Sequence, residues 1–268
     1  MSAIDDVFRR LKSQGRKALM PFITAGDPDL TFTAALLAKL SQSGGDLCEL
    51  GIPYSDPIAD GPVIQASYTR ALAHHIRLGD IFSNLSQTTP SLAAPVVSMV
   101  SYAIVHRHGL SAYVDDAKRA GIAGLIVPDL PVEESGPLAD ACSGAGLSLV
   151  QLITPTTQRA RAERIAAAST GFIYYVSVAG ITGERTELPP RLVDDLAALK
   201  TQTELPICVG FGISTPEHVR LLKPVADGLI VGSAIVRRIA ECATRPREQV
   251  LAEIGRYLAT LRTALDTM

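Results

Sequence analysis

The 268-residue chain has no surplus of positive charge: 25 Lys and Arg stand against 27 Asp and Glu, a formal net charge of −2. It therefore offers no basic field to nucleic acid or to an acidic membrane surface. Its short arginine clusters, Arg9-Arg10, 159–164 and Arg237-Arg238, read as solvated helix faces. No uninterrupted apolar run approaches the ~18 residues of a membrane span. The opening Met1-Ser2-Ala3-Ile4-Asp5-Asp6 is acidic and has no apolar core, so a signal peptide is not expected. Cysteine is scarce. The four, Cys48, Cys142, Cys208 and Cys242, lie far apart with no CxxC pair, which argues against a zinc site or a disulfide framework. Cys48 and Cys208 fall in strand patterns and are expected to act as small buried hydrophobes. The five histidines, His74, His75, His106, His108 and His218, show no metal-ligand spacing and read as surface or helix-end residues. A cytoplasmic location is the expectation. No linker or low-complexity run divides the chain, so residues 1–268 are read as one domain.

What the chain does have is 47% hydrophobic residues in a pulse of about thirty residues, short apolar runs alternating with amphipathic stretches. Strands are predicted at 18–24, 47–51, 96–101, 124–127, 148–153, 172–176, 207–210 and 228–231. These runs are nearly continuously apolar, as strands buried on both faces should be. Helices are predicted at 30–41, 132–143, 216–222 and 249–265, with an extra one at 4–11 before the first strand. The helix at 132–143 would carry Glu133 and Glu134 in its first turn. Eight such pulses point to an α/β fold, a single-domain (β/α)8 TIM barrel with an extra N-terminal helix. A doubly wound sheet also alternates, but no Gly-rich nucleotide fingerprint follows the first strand. The longest connection, 52–95, is a functional candidate by length.

That connection begins in the most informative segment, residues 49–65. Glu49, Asp56 and Asp60 fall within twelve positions, and Glu49 interrupts an apolar strand. A carboxylate there is costly unless paired or kept neutral, and such positions are where proton chemistry is found. Glu49 could instead be a core residue paired with Lys or Arg, and Asp60 could cap the helix that Pro62 opens. Asp56, before Pro57, reads as a turn residue.

A second constellation is glycine-rich: Gly180-Ile181-Thr182-Gly183, Gly210-Phe211-Gly212-Ile213-Ser214 and Gly232-Ser233-Ala234 follow the last three predicted strands. Strand-end turns use glycine anyway. Three such loops at one end of a barrel also suit a phosphate group, because backbone N–H groups can approach it closely. Of Tyr174 and Tyr175, alternation turns one into the barrel. Two carboxylates and a phosphate clamp, without a nucleophilic Cys or a Ser–His pair, suggest proton transfer on a small phosphorylated molecule, by isomerisation or aldol-type cleavage.

Several of these motifs are similar to those of the tryptophan synthase alpha chain family. They are residues 20–28 (MPFITAGDP), 49–65, 128–134 (PDLPVEE), 174–183, 209–214 and 231–236, in order over nearly the whole chain. The resemblance implies cleavage of indole-3-glycerol phosphate to indole and glyceraldehyde 3-phosphate. It implies that Glu49 is the general acid/base and that Asp60 holds the indole N–H and stabilises charge on the ring. A glutamate among apolar neighbours should have a raised pKa, and an aspartate in a polar loop should stay ionised. By the same resemblance Phe22, Ile153, Tyr174 and Phe211 line the indole pocket, and Gly183, Gly212, Gly232 and Ser233 hold the phosphate, with Thr182 a further substrate-binding residue. It implies a beta-chain partner in an alpha2beta2 heterotetramer, with pyridoxal phosphate on that partner and no cofactor or metal in this chain. Segments 53–60 and 180–190 would be the mobile loops. Ile104 stands where many members have Asn, Val178 where some have Arg, and Gln158 where Pro is frequent. The competing readings are a stand-alone lyase releasing free indole, another phosphate-binding barrel such as a sugar-phosphate isomerase, and an inactive scaffold.

Overall fold

The computed structural model describes residues 2–57, 60–177, 191–210 and 212–267. Its strands are β1 (Ala18–Thr24), β2 (Cys48–Gly51), β3 (Val96–Met99), β4 (Ile122–Ile126), β5 (Ser148–Ile153), β6 (Ile173–Val176), β7 (Ile207–Gly210) and β8 (Gly228–Val231). They close into a barrel in sequence order, and β8 returns to pair with β1 in parallel. This is the predicted TIM barrel.

Strand alternation sorts the apolar residues into two cores. Met20, Phe22, Val97, Val150, Tyr174 and Ile230 form an inner cluster. Ile23, Leu50, Leu125, Ile173, Val209 and Leu229 join an outer cluster with the surrounding helices. Cys48 belongs to the outer cluster and Cys208 to the inner one, and both are fully buried, as expected.

The extra N-terminal helix, Ala3–Ser13, begins with a capping box between Ser2 and Asp5. Its apolar stripe of Ile4, Val7, Phe8 and Leu11 joins the inner cluster. Gly124 leaves room for this plug, since a Cβ there would lie 2.7 Å from Ile4 Cδ1. The end of the barrel where the strands begin is thus filled, and a pocket is left to the opposite end.

Several predicted boundaries move. The helix predicted at 132–143 is a 3-10 turn, Val132–Glu134, followed by a helix at Gly136–Ala145. Glu133 and Glu134 lie in that turn, and the α-helix starts where Pro137, lacking an N–H, is tolerated. β3 stops at Met99 because Ser101 leaves the strand to cap the helix Tyr102–His108. β4 begins at Ile122, two residues earlier than predicted. The 52–95 connection holds two helices, Pro62–Leu72 and Leu78–Thr88. The last helix runs Arg247–Asp266 and buries Arg262, which donates to Asp46 at 2.9 Å. His218 is a helix-end residue, as expected, but it is buried; its Nδ1 accepts from Ser214 N–H. Among the described residues no helix is long and apolar enough to cross a membrane, and no group of three or more His, Cys, Asp or Glu could hold a metal ion.

Candidate active site

Glu49 is in register with Phe22 of β1 and Val97 of β3, both of the inner cluster. It is wholly buried, and neither carboxylate oxygen has a hydrogen-bond partner. Among the described residues no Lys or Arg supplies the pairing that the sequence left open. Burial, with a smaller contribution from the Asp60 charge, raises its pKa to about 8. An unpaired buried carboxyl is costly, and holding a proton is the cheaper state.

Asp60 is not a helix cap. Gly61, which has no side chain to cap with, occupies the N-cap of the helix Pro62–Leu72. The turn carrying Asp60 is fixed by backbone: its N–H donates to Pro57 O at 3.1 Å, and Gln65 Nε2 donates to its carbonyl at 2.7 Å. The helix behind it is anchored by a 2.6 Å contact between the Ser67 and Thr24 hydroxyls and by Arg70 on Asp27. Burial raises the Asp60 pKa to about 6. The aspartate expected in a polar loop is therefore partly desolvated, yet it remains mainly ionised at neutral pH. Asp56 accepts from the adjacent Ser55 hydroxyl, in keeping with a turn role.

Phe22, Glu49, Asp60, Tyr174, Gly232 and Ser233 line one pocket of about 40 Å³. Ile64, Met99 and Ile230 complete its apolar wall. Asp60 and Met99 also line a larger cavity of about 740 Å³, together with Tyr54, Tyr68, Ile104 and Leu152. The slot holding both acids and the wider chamber thus share Asp60 and Met99 in their walls.

Of the two strand-six tyrosines, Tyr174 faces inward, and Tyr175 faces out, its hydroxyl 3.4 Å from Asp195. Gly210 admits the Tyr174 ring, since a Cβ there would lie 2.4 Å from its hydroxyl oxygen. Gly232 is the N-cap of the helix Ser233–Ala240; the Ile235 and Val236 N–H groups donate to its carbonyl at 2.8 and 3.1 Å, so the donors a helix start can offer an anion lie before them, at Ser233 and Ala234. Gly212 has φ +80°, a left-handed conformation that favours glycine.

Ile153 is a correction. It belongs to the outer cluster, while its neighbour Leu152 lines the larger cavity. A shift of one residue along a strand exchanges its faces. Thr182, Gly183 and Phe211 lie outside the described residues, as do Val178, the segment 180–190, and Ile58 and Ala59 within 53–60. Sequence reasoning missed Tyr68, which is buried and whose hydroxyl pKa is raised by burial and by the Asp60 and Glu49 charges. The spacing Ile64, Ser67, Tyr68, Ala71 behind Pro62 was the available signal, because it marks one helical face.

A protonated acid, an ionised carboxylate, an aromatic slot and a helix N-terminus converge at the strand ends of a parallel barrel. These features define a (β/α)8-barrel enzyme of the acid–base type. A model of the tryptophan synthase alpha chain family matches residues 8–265. A tryptophan synthase alpha chain from Rhodopirellula baltica is 52% identical, with 99% of each chain covered. Among solved structures, tryptophan synthase subunit alpha from Legionella pneumophila superposes with TM-score 0.91 at 37% identity, covering 100% of both chains. A chain of a tryptophan synthase complex from Pyrococcus furiosus gives TM-score 0.84 at 35% identity, covering 92% of this chain and 98% of that one. The chain belongs to the tryptophan synthase alpha chain family.

Proposed function

We propose that this chain is the alpha subunit of a tryptophan synthase and cleaves indole-3-glycerol phosphate to indole and glyceraldehyde 3-phosphate. The observation that carries the reading is Glu49, buried with both carboxylate oxygens unpartnered in the pocket that Asp60 also lines.

The indole ring lies between Phe22 and Tyr174, with its N–H on Asp60. Glu49, protonated at neutral pH, donates its proton to indole C3. The positive charge that develops at the ring nitrogen is stabilised by the Asp60 carboxylate. The hydroxyl on the carbon attached to C3 then gives its proton to the Glu49 carboxylate and becomes a carbonyl. The bond between that carbon and C3 breaks, and its electron pair restores the indole ring. Glu49 ends protonated, as it began. Acid–base catalysis is worth ~10²–10⁴-fold, so orientation of the substrate by its phosphate contributes as well. Gly212 and the Gly232–Ser233 helix start, with Thr182 and Gly183, receive that phosphate. Ionised Asp60 and neutral Glu49 are two carboxyls held in opposite states by their surroundings.

The indole passes to a beta chain, which carries the pyridoxal phosphate, in an alpha2beta2 assembly. The family membership and the solved tryptophan synthase complex from Pyrococcus furiosus support this partner. The test is indole release by the purified chain, with and without a beta chain, wild type beside Glu49→Gln. Slow cleavage, accelerated by the beta chain and abolished by the substitution, is expected. Fast cleavage without a partner would instead identify a stand-alone lyase, and no cleavage in any mixture would overturn the substrate.

A further inference from the structure

The loop after β7 and the helix after β8 are tied together by one aromatic side chain. The Tyr257 hydroxyl, on the C-terminal helix Arg247–Asp266, donates to Ser214 O at 2.7 Å, two residues beyond Gly212. The Arg238 guanidinium lies over the face of the same ring, 3.8 Å from its centroid. Arg238 Nη1 donates in turn to Ala234 O at 2.6 Å, in the first turn of the helix that opens at Gly232. The Ser214 N–H points to His218 Nδ1 at 3.4 Å, a second hold on the same loop.

We infer that Tyr257 is a positioning residue for the anion end of the site: its hydroxyl and its ring join the two loops that would hold the substrate phosphate. The inference rests on the reading of Gly212, Gly232 and Ser233 as a phosphate cradle. Backbone N–H groups bind an oxyanion well only when they are fixed in advance, because each loop left free must be ordered on binding. Neither Phe22 nor Tyr174 of the proposed indole slot makes any of these contacts. The linkage should therefore act on the phosphate and leave indole binding alone.

The experiment compares wild type with Tyr257→Phe, which deletes one oxygen and keeps the ring under Arg238. Binding of inorganic phosphate and of indole is measured separately by calorimetry, alongside cleavage kinetics and Tm. Loss of one hydrogen bond should weaken phosphate binding by about fivefold and raise KM for indole-3-glycerol phosphate in step. The expected kcat and indole affinity are near wild type. Arg238→Gln, which spares the hydroxyl bond, should show the same selective loss. Unchanged phosphate affinity in Tyr257→Phe, or equal weakening of phosphate and indole, would overturn the inference and leave the proposed function standing. Wild-type protein that neither binds phosphate nor cleaves the substrate would instead remove the cradle itself, and the inference with it.

Discussion

Arg70 donates two hydrogen bonds to the Asp27 carboxylate, at 2.9 and 2.7 Å, and so ties the helix behind Asp60 to the loop after β1. Asp27 is 1% exposed at its side chain and Arg70 33%. Burial raises the Asp27 pKa and Arg70 opposes that rise. Arg70→Ala removes the guanidinium that bonds this buried carboxylate, leaving only the field of His74; breaking a fully buried pair costs about 3–5 kcal/mol, and the one-third exposure of Arg70 places the loss at or below the low end. Thermal melts should show that loss near neutral pH and a smaller one in acid, where Asp27 takes up a proton. A pH-independent loss would mean that packing, not charge, is what Arg70 supplies.

The two site carboxyls set a pH window. Asp60 must be ionised and Glu49 protonated, with pKa values of about 6 and about 8. In the free chain kcat/KM should rise with pH as Asp60 ionises and fall as Glu49 loses its proton. Asp60→Asn removes the acidic limb and also the charge that helps hold the proton on Glu49. The alkaline limb should then move to lower pH, at much reduced activity. A profile that keeps both limbs in place would separate Asp60 from the chemistry.

Glu49→Gln should lower kcat by ~10² or more while making the fold more stable. Below about pH 4.5 Glu49 is protonated in both folded and unfolded chains. As pH rises towards 8 the unfolded chain releases a proton that the folded chain keeps, so wild-type stability falls and then levels off. Glutamine does not titrate. The stability advantage of the variant should therefore grow from pH 5 to pH 8, reaching a few kcal/mol, each worth roughly 2–4 °C in Tm. A constant Tm difference across that range would mean that Glu49 is not held protonated.

Gly210→Ala places a methyl where the Tyr174 ring now lies, with its hydroxyl oxygen 2.4 Å away. The ring must shift, at a cost of about 1–3 kcal/mol. Because Tyr174 lines the pocket with Glu49, KM should rise as well. Normal kinetics in a chain that melts earlier would assign Gly210 to packing alone.

Much of this site was legible because costly residues stand out. A glutamate inside an apolar strand, an acid beside Pro62 and glycines after three late strands are all visible as departures from pattern. Phe22, Glu49, Asp60, Tyr174, Gly232 and Ser233 do meet in one pocket. Ile153 failed because the face a strand residue takes depends on its register with neighbours, which local sequence does not contain. Tyr68 was overlooked because its helix lies inside a long connection with weak boundaries. The helix at 132–143 was misread because its acids and Pro137 gave competing start signals.

By itself the sequence determined the barrel, its eight strands and the two carboxylates. Hydrophobic runs at a steady pulse admit few folds, and a buried acid is too costly to occur by drift. Only the tertiary structure decided that Glu49 has no Lys or Arg partner among the described residues and that Gly61, not Asp60, is the N-cap of the helix Pro62–Leu72. It alone showed that Leu152 rather than Ile153 faces the cavity, and that Tyr257, far along the chain, reaches the loop after β7. These outcomes depend on which distant side chains share a space, and that is set by closure of the barrel, not by any local run of residues.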